Sequence, residues 1–272
     1  MVLIHKMKKF IFSSIIILTL VVNPLLSENN EYRLNKKFLS NFLRDGTKVF
    51  NSPIEWKKDD LLKFSFITGL TYCLYKNDEK IRDWVLSHRS HTTNDISRFI
   101  RNCGDGYYLT GLIGSIYLAG EISNEKSLRK TALLSLESFI ISGIIVSGMK
   151  ILIGRMRPGK TNKANEFFPL RLESKYHSFP SGHSASAFAV ATVIAEESKN
   201  LAIDIFAYSI ACMVALSRVN DNFHWASDVF FGSVIGYFVG KKVSKINLQK
   251  ESLNAYFIIE NKKASFIIRY SF

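Results

Sequence analysis

Between Lys150 and Asp228 the chain carries three short polar clusters set among apolar runs. The first is Lys150, six residues, then Arg157-Pro158. The second is Pro180-Ser181-Gly182-His183. The third is Ser217-Arg218, five residues, His224, three residues, Asp228. Together they supply three fixed cations, two histidines, a carboxylate and a glycine turn, a set suited to holding an oxyanion and attacking it. No metal-ligand spacing is needed to complete that set.

Each cluster needs an element to aim it. Lys150 and Arg157 are seven apart at the end of the apolar run 131–153, about two helical turns, so both lie near one face if the helix continues. Pro158 forces the exit, because the residue before a proline disfavours helix. There the Arg157 fork and the Lys150 point charge can converge on one anion. In the second cluster Ser181 is a good N-cap, and the run 184–195 is small, apolar and helix-compatible. Free N–H groups at that helix start, loosened by Gly182, bind anions without any charged side chain, and His183 projects from the first turn. In the third, His224 and Asp228 stand four apart on one helix face. The carboxylate there can hold one imidazole nitrogen and leave the other unprotonated and aimed, with histidine itself as the nucleophile. Any one cluster alone also fits an ordinary helix end or cap.

In this order and at these spacings the clusters resemble the signature of the phosphatidic acid phosphatase type 2 and vanadium haloperoxidase superfamily. The matching positions are Lys150, Arg157, Pro158, Pro180, Ser181, Gly182, His183, Ser217, Arg218, His224 and Asp228. The resemblance implies that His224 attacks phosphorus to form a phosphohistidine, with Asp228 orienting the ring. It implies that His183 protonates the leaving oxygen and then activates water. Lys150, Arg157 and Arg218, with Ser181 and the Gly182 amide, would hold the equatorial oxygens, an electrostatic role filled by donors already in place. No metal and no cofactor is implied. The implied substrate is a phosphorylated envelope lipid, or alternatively a small soluble phosphomonoester. The haloperoxidases of the same superfamily would use these residues to hold vanadate, a reading the lipid-associated layout disfavours.

The rest of the chain frames this centre. Its 272 residues carry a net charge of +13, which suits a solvated basic surface facing anionic headgroups. Nucleic acid is a poor fit, since no basic run is interleaved with aromatics on a polar domain. Residues 1–27 read as an export signal: Lys6, Lys8 and Lys9, then an apolar core from Phe10 to Val22, then Ser27 as a small residue for cleavage. Residues 28–60 form a polar lead. A helical phosphatase domain is expected over 61–245, and the β-branched, aromatic tail 252–272 reads as a β-hairpin. The expected fold class is all-α, a bundle of about six helices of the superfamily's kind, with that hairpin appended.

Six apolar segments supply the helices: 61–75, 107–120, 131–153, 184–195, 201–216 and 229–239. Most fall short of the roughly 20 apolar residues of a membrane span, and Lys63, Glu137 and Asp204 interrupt three of them. The expectation is therefore a periplasmic, membrane-associated domain, with an integral membrane protein as the close alternative. Cys73, Cys103 and Cys212 show no paired spacing, and the two in apolar runs, Cys73 and Cys212, are expected to be buried free thiols. His88 and His91 read as a solvated pair, His177 as a loop residue near the pocket entrance. Glycines recurring in the helical runs suggest close helix contacts.

Overall fold

A computed structural model of the chain describes residues 32–252, 256–260 and 263–267. The expected export signal and its cleavage point lie outside the described residues. Those residues hold eight helices: α1 (Lys36–Asn51), α2 (Lys58–Ser87), α3 (His91–Ile100), α4 (Gly106–Ile122), α5 (Lys126–Ile153), α6 (Gly182–Ser198), α7 (Leu201–Asn220) and α8 (Ala226–Ser252). The expected count of about six is thus corrected to eight. The two extra helices come from segments too polar to register as apolar runs. α1 begins where the Asn35 side chain accepts from the Phe38 amide at 2.9 Å, and α3 where Ser90 accepts from Thr93 at 3.1 Å. Both bury one face only, which is the property an apolar-run reading overlooks.

The lead is part of the fold. Val49 of α1 joins a core cluster with Leu134, Ile141, Val193, Val239 and Val243, and Phe42 packs on its edge. The charged stretch 76–102 holds the second half of α2, which runs unbroken through Asp78 and Arg82 to Ser87, and then α3. Beyond α8, strands β1 (Tyr256–Glu260) and β2 (Lys263–Ile267) pair antiparallel as a two-stranded sheet of their own. The fold class is all-helical without them.

α6 is the central helix. Ala185, Ala189, Val190 and Val193 on it are all at least 98 % buried. α8 approaches it along Gly232, Gly236 and Gly240, one glycine per turn. A Cβ at Gly236 would stand 2.2 Å from the Ala185 carbonyl oxygen, and one at Gly240 2.8 Å from that of Ala189. Small residues let backbones meet this closely. The expectation of close contacts holds for these three glycines. It does not hold for Gly111, Gly114, Gly143 and Gly148, where an added Cβ would meet nothing within 4 Å.

Large apolar side chains are exposed on the outer faces of two long helices. Ile144 and Leu152 on α5, and Phe206, Met213 and Leu216 on α7, are exposed. α5 and α7 are each long and apolar enough to cross a membrane. The three interrupting charges lie where a span tolerates them. Lys63 sits beside Asp60 in the first turns of α2, and Asp204 accepts from the Ser198 hydroxyl at 2.5 Å in the first turn of α7. Glu137 is buried inside the bundle. The cysteines are free, but Cys73 and Cys212 are exposed, not buried, because the faces of α2 and α7 that carry them point away from the core.

Candidate active site

The site forms where α5 ends and α6 and α8 begin. Gly154 ends α5 with φ +62°, and a Cβ there would lie 1.9 Å from the Phe168 carbonyl oxygen, so this reversal requires glycine. The following loop folds back on the helix end. Phe168 donates to the Gly154 carbonyl at 2.8 Å, Arg157 to that of Lys175 at 2.9 Å, and Ser178 to that of Arg155 at 3.0 Å. The first and second clusters are thereby drawn together. Ser181 then caps α6, and its amide donates to the Asp228 carbonyl at 2.9 Å, joining the start of α6 to the start of α8. A Cβ on Gly232 would stand 2.4 Å from the Ser181 carbonyl oxygen. The second and third clusters meet only because that side chain is absent.

His224 is buried in the short connection between α7 and α8. Its Nδ1 lies 2.7 Å from the Ser178 carbonyl oxygen, which can only accept. The proton is therefore on Nδ1, and the Nε2 lone pair is free. Burial pushes the imidazole well below its ordinary pKa, against the pull of the Asp228 carboxylate. The ring is neutral at working pH and able to act as a nucleophile.

The expected direct bond from Asp228 to this ring is not the one formed. Asp228 Oδ2 stands 3.7 Å from Nδ1, too long for a hydrogen bond. It accepts instead from the Ser178 hydroxyl at 2.5 Å and from the Trp225 amide at 2.9 Å. The carboxylate thus acts one link out: it fixes Ser178, whose carbonyl fixes the ring, and it sets a negative charge beside the imidazole.

The expected cations gather on the same end of the bundle. Lys150 Nζ donates to the His177 carbonyl at 2.6 Å, and the Cβ that Gly182 lacks would come within 3.9 Å of Lys150 Cε. Arg157 Nε donates to the Ser174 carbonyl at 2.9 Å. Arg218 is held by Asp221 at 3.4 Å, while its buried Nε has no protein partner among the described residues. The Phe223 ring faces both guanidinium groups, at 5.6 Å from Arg157 and 4.9 Å from Arg218. His183 Nε2 lies 3.9 Å from the Asp105 carboxylate at the start of α4. The His177 ring contacts the Arg171 carbonyl at 2.8 Å, so it is the backbone of His177, not its imidazole, that serves the site. His88 stacks on Trp84 at 4.5 Å, and the described residues hold no metal-like cluster.

Several residues of the centre escaped sequence reasoning. Ser178, Phe223 and Asp221 stand beside signature positions without belonging to them. Arg155 sits in the six-residue gap of the first cluster, and Asp78 lies in a charged stretch 72 residues before Lys150. Arg155 is 1 % exposed and Asp78 equally buried. No spacing rule connects residues so far apart, although a cation two before Arg157 was a visible signal.

Residues 131–251 match the model of the PAP2 superfamily. A lipid A 1-phosphatase of Porphyromonas gingivalis is 34 % identical over 124 residues, covering 45 % of this chain and 25 % of that protein. Lipid phosphate phosphatase 1 of Arabidopsis thaliana is 30 % identical over 133 residues, covering 37 % of this chain and 39 % of that one. The chain thus aligns with well under half the length of these curated relatives. Among solved structures, a transmembrane PAP2 type phosphatidylglycerolphosphate phosphatase from Bacillus subtilis superimposes with a TM-score of 0.53 at 25 % identity, over 78 % of this chain and 95 % of that one. Aquifex aeolicus LpxE shares the fold, with a TM-score of 0.51 at 21 % identity over 61 % and 93 % of the two chains.

Proposed function

We propose that this chain, which carries a PAP2-superfamily domain over 131–251, is an integral membrane phosphatase that hydrolyses a phosphorylated envelope lipid through a phosphohistidine. The carrying observation is His224: its Nδ1 proton is committed to the Ser178 carbonyl, so Nε2 is left as a free, neutral nucleophile among Lys150, Arg157 and Arg218. Nε2 forms a bond to phosphorus as the bond to the leaving oxygen breaks, and His183 gives that oxygen a proton. His183 then takes a proton from water as the water oxygen displaces Nε2 and inorganic phosphate leaves. Charge on the equatorial oxygens is met by the three cations and by the amides opening α6, donors that need no rearrangement. Nothing in this route calls for a metal. The lipid class is supported by the lipid phosphatases among the relatives and by the apolar side chains exposed on the outer faces of α5 and α7.

The same geometry bears on orientation. Tyr32 donates to Asn247 late in α8 at 2.7 Å, and Arg33 pairs with Glu121 at the end of α4. The site lies at the other end of α5 and α8, about 36 Å away along 24 residues of α5. If these helices cross the bilayer, a site facing outward places Tyr32 inside. That is opposite to the side on which cleavage after Ser27 would leave residue 28. Labelling single cysteines placed at 124 and 172 in intact cells tests this. Labelling of 172 alone is expected, and labelling of 124 alone would reverse the orientation.

The activity is tested by phosphate release from the purified full chain with chelator present, on detergent-dispersed lipid phosphates and diphosphates beside soluble phosphomonoesters. Release from the lipids, lost in His224→Ala, is expected. Turnover that survives His224→Ala refutes the nucleophile, and equal turnover of soluble esters refutes the lipid assignment.

A further inference from the structure

Behind the catalytic carboxylate stands a buried charge chain that no signature position describes. Arg155 Nη1 donates to Asp228 Oδ1 at 2.6 Å and to Ser227 Oγ at 2.8 Å. Nη2 donates to Asp78 Oδ2 at 2.8 Å and to the Ala164 carbonyl at 2.9 Å, and Nε donates to that same carbonyl at 3.0 Å. All five guanidinium donors are therefore spent inside the protein, and Arg155 has none left for a substrate oxygen. Asp78 is as fully engaged: Oδ1 accepts from the Ser227 amide at 2.9 Å and Oδ2 from the Ser227 hydroxyl at 2.5 Å. The guanidinium lies against the Tyr75, Trp225 and Phe167 rings at 5.0, 5.4 and 5.7 Å.

Burying three charges is a poor way to gain stability, since well-packed apolar residues commonly do as well. What a fully satisfied network supplies is one fixed arrangement. We infer that Asp78 and Arg155 are positioning residues for phosphoryl transfer, holding a net negative charge and a fixed Ser178 carbonyl behind His224. This rests on His224 being the nucleophile. Arg155 locks the Asp228 carboxylate in place, and Asp228 orients Ser178 and through it the Nδ1 proton. The charge sum matters as well. Asp228 with Arg155 alone would be neutral, and Asp78 brings the triad to one net negative charge. When Nε2 bonds to phosphorus with Nδ1 still protonated, the ring becomes cationic, and the Asp228 carboxylate, its Oδ2 3.7 Å from Nδ1, stabilises it while Asp78 offsets the Arg155 charge behind it. Asp78 lies on α2, outside the segment that matches the family, so α2 takes part in the chemistry instead of merely flanking it.

The distinguishing mark of this role is a loss in kcat with substrate and phosphate binding left intact, because the cations that hold phosphate are separate from the triad. Asp78→Asn, which keeps the shape and removes the charge, and Arg155→Lys, which keeps the charge but cannot bridge two carboxylates, are to be compared with the full-length wild type. Each is expected to lower kcat at least tenfold while KM and the inhibition constant of inorganic phosphate stay within about threefold, a split that a general loosening of the fold does not produce. Arg155→Lys serves where Asp78→Asn does not fold. A folded Asp78→Asn or Arg155→Lys with kcat within twofold of wild type overturns the inference. So does a parallel fall of kcat, inorganic-phosphate affinity and melting temperature, which marks a merely structural triad. A wild-type protein that releases no phosphate from any substrate overturns the phosphatase reading and this inference with it, whereas an active wild type with unaffected variants overturns this inference alone.

Discussion

Gly232→Ala is the sharpest probe of how the site is assembled, because one methyl group separates the two helices that carry it. The new Cβ would stand 2.4 Å from the Ser181 carbonyl oxygen and 3.1 Å from its amide nitrogen. An ordinary carbon–oxygen contact is about 3.3 Å, so the starts of α6 and α8 must part by about 0.9 Å. Neither neighbour is a flexible side-chain end: both are backbone, at the cap of α6. Overpacking of this kind costs about 1–3 kcal/mol of stability. The greater effect is on the chemistry, since α8 carries Asp228 and α6 carries Ser181, Gly182 and His183. A displacement of about 1 Å between reacting groups costs on the order of 10²-fold in rate. The amide of Ser181 also donates to the Asp228 carbonyl, so the shift strains a backbone bond that joins the second and third clusters. The measurement is kcat for lipid phosphate hydrolysis beside the melting temperature in detergent, with Gly143→Ala as a control at a glycine whose Cβ would meet nothing within 4 Å. A roughly hundredfold loss for Gly232→Ala, with the control unchanged, is expected. A Gly232→Ala protein with wild-type kcat would refute the claim that close approach of α8 to Ser181 builds the site.

Other consequences follow from single contacts. Gly154→Ala places a Cβ 1.9 Å from the Phe168 carbonyl oxygen at φ +62°. It should lower stability by about 1–3 kcal/mol, seen as an earlier thermal transition, and an unchanged transition would contradict the required reversal. Burial lowers the His224 pKa in the folded state, so the unfolded chain binds one more proton below about pH 6.5. Stability conferred at neutral pH is therefore lost as pH falls, by about 1.4 kcal/mol per unit for this group. Stability measured from pH 7.5 to 5 should fall less steeply in His224→Gln than in wild type, and parallel curves would show that the ring is not buried neutral. Phe223→Ala removes the ring facing Arg157 and Arg218, a loss of about 1 kcal/mol at a half-open position, or roughly fivefold in KM. A fall in kcat with KM unchanged would assign Phe223 a different role.

Much of the centre was legible without any coordinates. Lys150, Arg157, Ser181, Gly182, His183, Arg218, His224 and Asp228 are short-range signals: a helix exit, a helix start and an i,i+4 pair each declare themselves within one or two turns. Local physics is enough to state what such residues can do, and the spacing of the three clusters carries the family likeness. Local physics also identified the six strongly apolar segments. It missed α1 and α3, because a helix that buries one narrow face has no apolar run, and its partners lie elsewhere in the chain.

Tertiary structure decided what depends on distance in space instead of distance along the chain. Asp78 and Arg155 lie 77 residues apart in the sequence, and only folding puts them in one dry contact with Asp228. The i,i+4 spacing correctly brought Asp228 near His224, but the competition of Arg155, Ser178 and Trp225 for its oxygens set the ring's actual partner. The sequence likewise determined that Lys63, Glu137 and Asp204 interrupt apolar runs. Whether such a charge opposes membrane crossing depends on its surroundings, and Glu137 faces the bundle interior while the other two sit at helix starts. Charge and hydrogen bonding act across whatever happens to be adjacent, and adjacency between helices is fixed only when the whole bundle has packed.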